Sequence, residues 1–268
     1  MKETDWTKEL IKIMAQLRGE DGCPWDREQT HESLKRYLVE ETAELLDAID
    51  EQDDAAIKDE LGDVLLNVLF HAQIACEEQR FNIQDVARNT CEKLIRRHPH
   101  VFGDTTIDTP EGVKTQWEQI KQIERQDKAQ GHELPASALH GVPKHLPALH
   151  RAHKVLNKAA RAGFEWPTVE GVMAKIHEEL AEVQDAIERQ DRKAVAEEIG
   201  DLLFAVTNLG RFLDHFSEQA LHHTIHKFEQ RFKYIEQQLL AKGKLPQQCD
   251  LDELMALWIQ AKDNPHVS

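Results

Sequence analysis

Two runs of acidic residues have the spacing of a metal site. In Glu178-Glu179-Leu180-Ala181-Glu182, Glu178 and Glu182 are four apart and Glu179 and Glu182 three apart, so on a helix their carboxylates line one side. Glu198 and Asp201, also three apart, form a second cluster. Gln190-Asp191-Arg192 separates the two apolar-spaced segments that carry these clusters and reads as the turn of a helical hairpin. Folding the hairpin brings four or five carboxylates together. Like charges this close raise one another's pKa unless a cation sits among them, and hard oxygen donors without Cys or His suit Mg²⁺ or Mn²⁺.

Glu is a strong helix former and the chain has 49 Asp and Glu, so an EExxE run by itself describes many solvated helix faces. Two features set this one apart. Like charges at these spacings destabilise a bare helix by a few tenths of a kcal/mol per pair, and no Lys or Arg is interleaved within the run. The pattern also recurs at a constant offset of 138, with Glu40, Glu41, Glu44, Glu60 and Asp63 matching Glu178, Glu179, Glu182, Glu198 and Asp201. Roughly half of the positions between Glu40 and Leu65 are identical to their partners, Gly62 and Gly200 among them. A chain that repeats an unfavourable charge cluster uses it or once used it.

The elements that must position these groups are helices. Trp6, Leu10, Ile13, Met14 and Leu17 give an amphipathic opening helix stopped at Gly19, and Gly22-Cys23-Pro24-Trp25-Asp26 is a turn with an aromatic anchor. A carboxylate helix is expected from His31 to Ile49 and another, capped by Asp53 or Asp54, to about Glu78; further helices follow near 85–97 and 111–126. Gly131, Pro135, Gly141, Pro143 and Pro147 then interrupt any periodicity. The second half replays the first: helices at 150–162, 172–188, 194–216, 218–240 and 251–262, with Gly163-Phe164-Glu165-Trp166-Pro167 standing in for the GCPW turn. Nothing has a strand period. The expectation is an all-α chain of two tandem helical bundles, at 1–128 and 148–268, joined by a linker at 129–147.

A net charge of −16 argues against binding a phosphate backbone, so no nucleic-acid partner is expected. No apolar run has the length of a membrane span and the first twenty residues lack a signal-peptide pattern, which points to a cytoplasmic protein. The four cysteines form no CxxC pair and read as reduced thiols. His222, His223 and His226 have a zinc-like spacing but no acidic or Cys partner at motif distance, and Glu28-Gln29-Thr30-His31 is an ExxH without the counterpart a di-iron bundle requires.

The GCPWD turn, the duplicated EExxE…ExxD pattern and the Arg96-Arg97-His98-Pro99-His100-Val101-Phe102 segment resemble the two-domain bacterial MazG-type nucleoside triphosphate pyrophosphohydrolases, over nearly the whole chain. The resemblance implies Mg²⁺-dependent hydrolysis of NTP or dNTP to monophosphate and pyrophosphate, with broad base specificity, in nucleotide housecleaning or pool control, by a homodimer. It places Mg²⁺ on Glu179, Glu182, Glu198 and Asp201, with Glu178 beside them as a candidate outer ligand or water-orienting base. Lys175, one turn ahead of Glu179, and Lys227 and Arg231, four apart on one helix face, become candidate triphosphate contacts, and Trp258 a candidate platform for the base. At the 138 offset Lys175 corresponds to Tyr37, so the second half is expected to be the working one, and Glu41, Glu44, Glu60 and Asp63 remain a possible second metal site. The alternatives are a dUTPase-like enzyme with a single substrate and a non-catalytic metal-binding regulator.

Overall fold

The computed structural model describes residues 5–129 and 137–264. Every regular element among them is helical, as the near-3.6 periodicities require, and the chain divides into two compact units, Met1–Gln130 and Gly131–Ser268. Of the expected linker, 130–136 lie outside the described residues, and no helix forms between 137 and 147.

The first unit runs α1 (Trp6–Arg18), α2 (Pro24–Glu28), α3 (Lys35–Glu51), α4 (Asp54–Glu77), α5 (Ile83–Arg97), α6 (Pro99–Phe102) and α7 (Pro110–Ala129). The second runs α8 (Ala148–Arg161), α9 (Val169–Glu188), α10 (Arg192–Phe212), α11 (Ser217–Ala241), a 3₁₀ turn at Pro246–Gln248 and α12 (Leu251–Asp263). No helix among the described residues is long and apolar enough to cross a membrane.

The centre of each unit is an antiparallel hairpin, α3 on α4 and α9 on α10, built by the same local chemistry. Gln52 and Gln190 both end their helix in the left-handed region, at φ 57° and 56°. Asp53 then accepts from the N–H groups of Ala55 and Ala56, and Asp191 from those of Lys193 and Ala194, capping α4 and α10. The repeated Gln-Asp pair therefore fixes the same reversal twice, and with it the register of the carboxylates across each hairpin.

Helix ends differ from expectation in two places. His31–Leu34 form a turn ahead of α3, closed by Thr30 N–H donating to Ser33 Oγ and Ser33 N–H donating to Thr30 Oγ1. α10 ends at Phe212 and not at residue 216: Asp214 takes φ 57° and His215 N–H bonds back to the Gly210 carbonyl, turning the chain into α11. The first unit's core is Met14, Leu34, Leu69, Phe70 and Ile74, while in the second Ile235, Leu239 and Leu257 tie α11 to α12. Val172, Ala186 and Ala205 are buried along the α9–α10 seam.

Candidate functional site

α9 and α10 bring three of the expected carboxylates to one point. Glu179, Glu182 and Glu198 each offer an oxygen, all within 4.8 Å of one another. Glu179 sits on the seam and is only 5% exposed. Its charge is met by Lys175, one turn earlier, whose Nζ lies 2.7 Å from Glu179 Oε1 and 2.9 Å from Glu178 Oε1. Both contacts hold the ammonium charged, well above the usual lysine range. Glu178 itself is exposed. Asp201, one turn beyond Glu198, is also exposed and stands outside the compact set of three.

One lysine does not neutralise this cluster. Glu182's carboxyl is pushed above the ordinary carboxylate range, first by hydrogen bonding with Glu179, then by desolvation and by the charges of Glu179 and Glu198. A set of oxygen donors crowded enough to raise a carboxyl pKa, with one member buried, fits a hard divalent cation.

The first unit makes a related cluster from a different trio: Glu41, Glu60 and Asp63 lie within 4.8 Å of one another, and Glu44 falls outside the set. Burial raises the pKa of Glu41 and Glu60, and their acidic neighbours raise both further. The position equivalent to Lys175 is Tyr37, so no cation meets these charges from α3. Tyr37 instead packs edge-on against Trp25, at 5.9 Å between ring centroids.

The remaining expected contacts lie on α11 and α12. Lys227 and Arg231 occupy one face of α11, and among the described residues no ion pair links either to the acidic cluster. The Arg231 guanidinium lies 5.7 Å from the centroid of Trp258, whose other near neighbour is Phe228 at 5.1 Å. Trp258 also packs against the α11–α12 core of Ile235, Leu239 and Leu257. In the first unit Arg97 is drawn into an ion pair: Arg96 and Arg97 both reach Glu124, each at 2.6 Å. The histidine motifs go elsewhere as well, with His31 stacked on His71 and hydrogen-bonded to it at 2.7 Å, and His222 exposed 3.8 Å from Glu218.

One feature beside the cluster escaped the spacing arguments. The Gly163–Trp166 loop and Asn208 enclose a solvent-open cavity of about 240 Å³ at the end of the α9–α10 hairpin away from its turn. An Asn on a helix carries no signal of its own; the position becomes visible only as one where the repeats differ, since Asn208 aligns with Phe70 at the 138 offset.

The family described as MazG nucleotide pyrophosphohydrolase domain matches twice, at residues 29–102 and 167–235, and each match contains one acidic hairpin. The nucleoside triphosphate pyrophosphohydrolase/pyrophosphatase MazG of Thermotoga maritima is 46% identical over 95% of this chain and 95% of its own length. The nucleoside triphosphate pyrophosphohydrolase of Escherichia coli K12 is 43% identical over 94% and 95% respectively. Among solved structures, a mazG-related protein from Thermotoga maritima covers 43% of this chain and 98% of its own, at 27% identity and a TM-score of 0.38. With the acidic hairpin present twice and relatives matched almost end to end, the chain belongs to the MazG nucleotide pyrophosphohydrolase family.

Proposed function

We propose that this chain hydrolyses nucleoside triphosphates, ribo- and deoxyribo- and with several bases, to the monophosphate and pyrophosphate, and that its second unit does so. The observation that carries the proposal is the Lys175–Glu179–Glu182–Glu198 cluster: a buried carboxylate, two partners that share its charge and a lysine at the rim, which the first unit lacks.

Glu179, Glu182 and Glu198, with Asp201 one turn away, are the residues that would hold Mg²⁺ or Mn²⁺. Such an ion supplies charge neutralisation for the phosphate oxygens and acidifies water nearby. The chain's own groups do the rest. Lys175 is within reach of both Glu178 and Glu179, so an arriving triphosphate can draw the ammonium to itself and leave Glu178 free to act as a base. Glu178, exposed and adjacent to the buried ligand, accepts the proton of the attacking water as its oxygen adds to phosphorus and the bridging P–O bond breaks. Lys227 and Arg231 receive the outer phosphates, Arg231 being presented by Trp258.

A homodimer is part of the proposal. Ile187, Ile199, Leu203 and Val206 are exposed along the α9–α10 hairpin, and their equivalents Ile49, Leu61, Leu65 and Val68 are exposed along α3–α4. A second copy packing hairpin on hairpin would cover both stripes.

The test is a pair of variants. Glu179→Gln should reduce turnover by at least a thousandfold with the helical content intact, and Glu41→Gln should leave most of it. The opposite pattern would move the reaction to the first unit.

A further inference from the structure

Three segments of the first unit are tied together by a chain of side-chain nitrogens. His31, in the turn ahead of α3, sets its Nδ1 2.7 Å from Nδ1 of His71 on α4, and its Nε2 2.6 Å from the guanidinium of Arg80, in the turn from α4 to α5. The two imidazoles are parallel to within 9° with their centroids 5.0 Å apart, so the facing nitrogens lie between the rings.

The order of protons along this chain follows from what each group can do. Arginine stays charged and only donates, so His31 Nε2 is an acceptor and carries no proton. A neutral imidazole with a bare Nε2 has its proton on Nδ1, and here that proton is donated to His71. His71 Nδ1 is then the acceptor, and its own proton sits on Nε2. A further proton can go only to His31 Nε2 or to His71 Nδ1. At either place it turns an acceptor into a donor and breaks a link.

The charged groups around the pair are Arg80, bound through Nε to Glu78 at 2.6 Å; Arg18 from α1, paired with Glu77 on α4 at 2.7 Å; Glu32 and Lys35, paired with each other; and Asp85 on α5, which accepts from Asn82 N–H at 3.1 Å. The one in direct contact with the chain is the Arg80 cation, which opposes a second positive charge on His31. Burial, and after it His31, holds His71 below the usual histidine range. A metal ion does not account for the pair. Two imidazole nitrogens on one zinc stand about 3.3 Å apart, and among the described residues no third His, Cys, Asp or Glu completes a ligand set with them.

The chain closes a particular place. The turn that carries His31 ends at Leu34, which is buried in the first unit's core with Leu69 and Phe70. Tyr37, one turn further on, and Phe70, beside His71, both pack edge-on against Trp25, at 5.9 and 6.5 Å. The second unit serves as an internal control. At the 138 offset it has Val169, Leu209 and Glu218 for His31, His71 and Arg80, and where Trp25, Tyr37 and Phe70 pack together it has the cavity beside Trp166. The nitrogen chain and the closed aromatic cluster occur together, in one unit of the two.

We propose that His31, His71 and Arg80 form a pH-sensitive latch, which holds the 30–37 segment against α4 at neutral pH and releases it on acidification, loosening the first unit around its aromatic cluster. Because the latch requires neutral rings, it is intact above the ordinary histidine pKa of about 6.5 and weakens as pH falls below it. Between pH 7.5 and 5.5 each imidazole that must stay neutral lowers the closing equilibrium by about tenfold.

The tests use the full chain. Two-bond ¹H–¹⁵N spectra of protein labelled with ¹⁵N-histidine, assigned with His31→Val and His71→Leu, should show His31 protonated on Nδ1 and His71 on Nε2 at pH 7.5. Hydrogen exchange read by mass spectrometry, corrected for the intrinsic effect of pH, should show protection over 30–37 and 79–85 falling by about tenfold or more from pH 7.5 to 5.5. The double variant His31→Val/His71→Leu, which copies the second unit's residues, should keep its protection and lose this pH dependence. His71→Gln, whose amide oxygen still accepts from His31 but does not titrate, should stay closed with a smaller fall. Any other tautomer pair in wild type, wild-type protection unchanged over that range, or a fall of wild-type size in both variants overturns the latch.

Discussion

Replacing Lys175 by Met tests the idea that lysine and divalent cation serve the same carboxylates. Glu179 keeps only 6% of its side-chain surface exposed and Lys175 37%, with 2.7 Å between them. Leaving a fully buried charge without its partner costs about 3–5 kcal/mol. Because the lysine is partly in solvent and the cluster can take up a proton, about 2 kcal/mol is the better figure here. For a chain of this size that corresponds to a fall in Tm of roughly 4–8 °C in EDTA. Mg²⁺ should restore most of it, because the ion replaces the ammonium, and the Tm rise on adding Mg²⁺ should be larger in Lys175→Met than in wild type. Thermal melts followed by far-UV circular dichroism, with EDTA and with saturating Mg²⁺, read this directly. A deficit of equal size in both conditions would show that lysine and metal do not share the site, and the reasoning would fail.

The other predictions concern stability and pH. Burial lowers the pKa of His71, His150 and His153, with further lowering of His71 by His31, of His150 by Lys154 and of His153 by Arg211, so the unfolded chain binds more protons than the folded one below about pH 6.5. Stability is then full above that pH and falls on acidification: Tm should drop between pH 7.5 and 5, and His153→Gln should flatten the slope, whereas an unchanged slope would return that histidine to a solvated state. In the first unit Arg97, and after it Arg96, hold Glu124 at about 2 against an ordinary 4.5. This contribution is present above pH 4.5 and lost as pH falls towards 2, so Glu124→Gln should cost about 2 kcal/mol at pH 7, read by urea titration, and nothing near pH 2; a deficit that persists there would mean lost packing and not lost charge.

Much of this was legible in residue order because the decisive signals were local. The 138-residue repeat, the Gln-Asp turn and its capping aspartate, and the carboxylates at helical spacing each depend on a few neighbouring positions. The exact carboxylate sets were not legible. Spacing tells which residues share a face but not which side chains meet, and four equivalent positions yield Glu179, Glu182 and Glu198 in one unit and Glu41, Glu60 and Asp63 in the other. Nor did spacing show that Trp258 meets Arg231, a contact made by packing of α12 on α11, which is long-range information. Asn208 was hidden for the opposite reason. Its meaning lies in a contrast with Phe70, and in what Trp25 and Trp166 do on either side of that contrast.

The most direct test of the central claim is identification of products. Purified protein is incubated with each NTP and dNTP, in Mg²⁺ or in EDTA, and monophosphate, pyrophosphate and orthophosphate are scored separately. The account predicts equimolar monophosphate and pyrophosphate in Mg²⁺, neither in EDTA, and loss of both in Glu179→Gln. Release of orthophosphate and diphosphate, or undiminished turnover in EDTA, would contradict it.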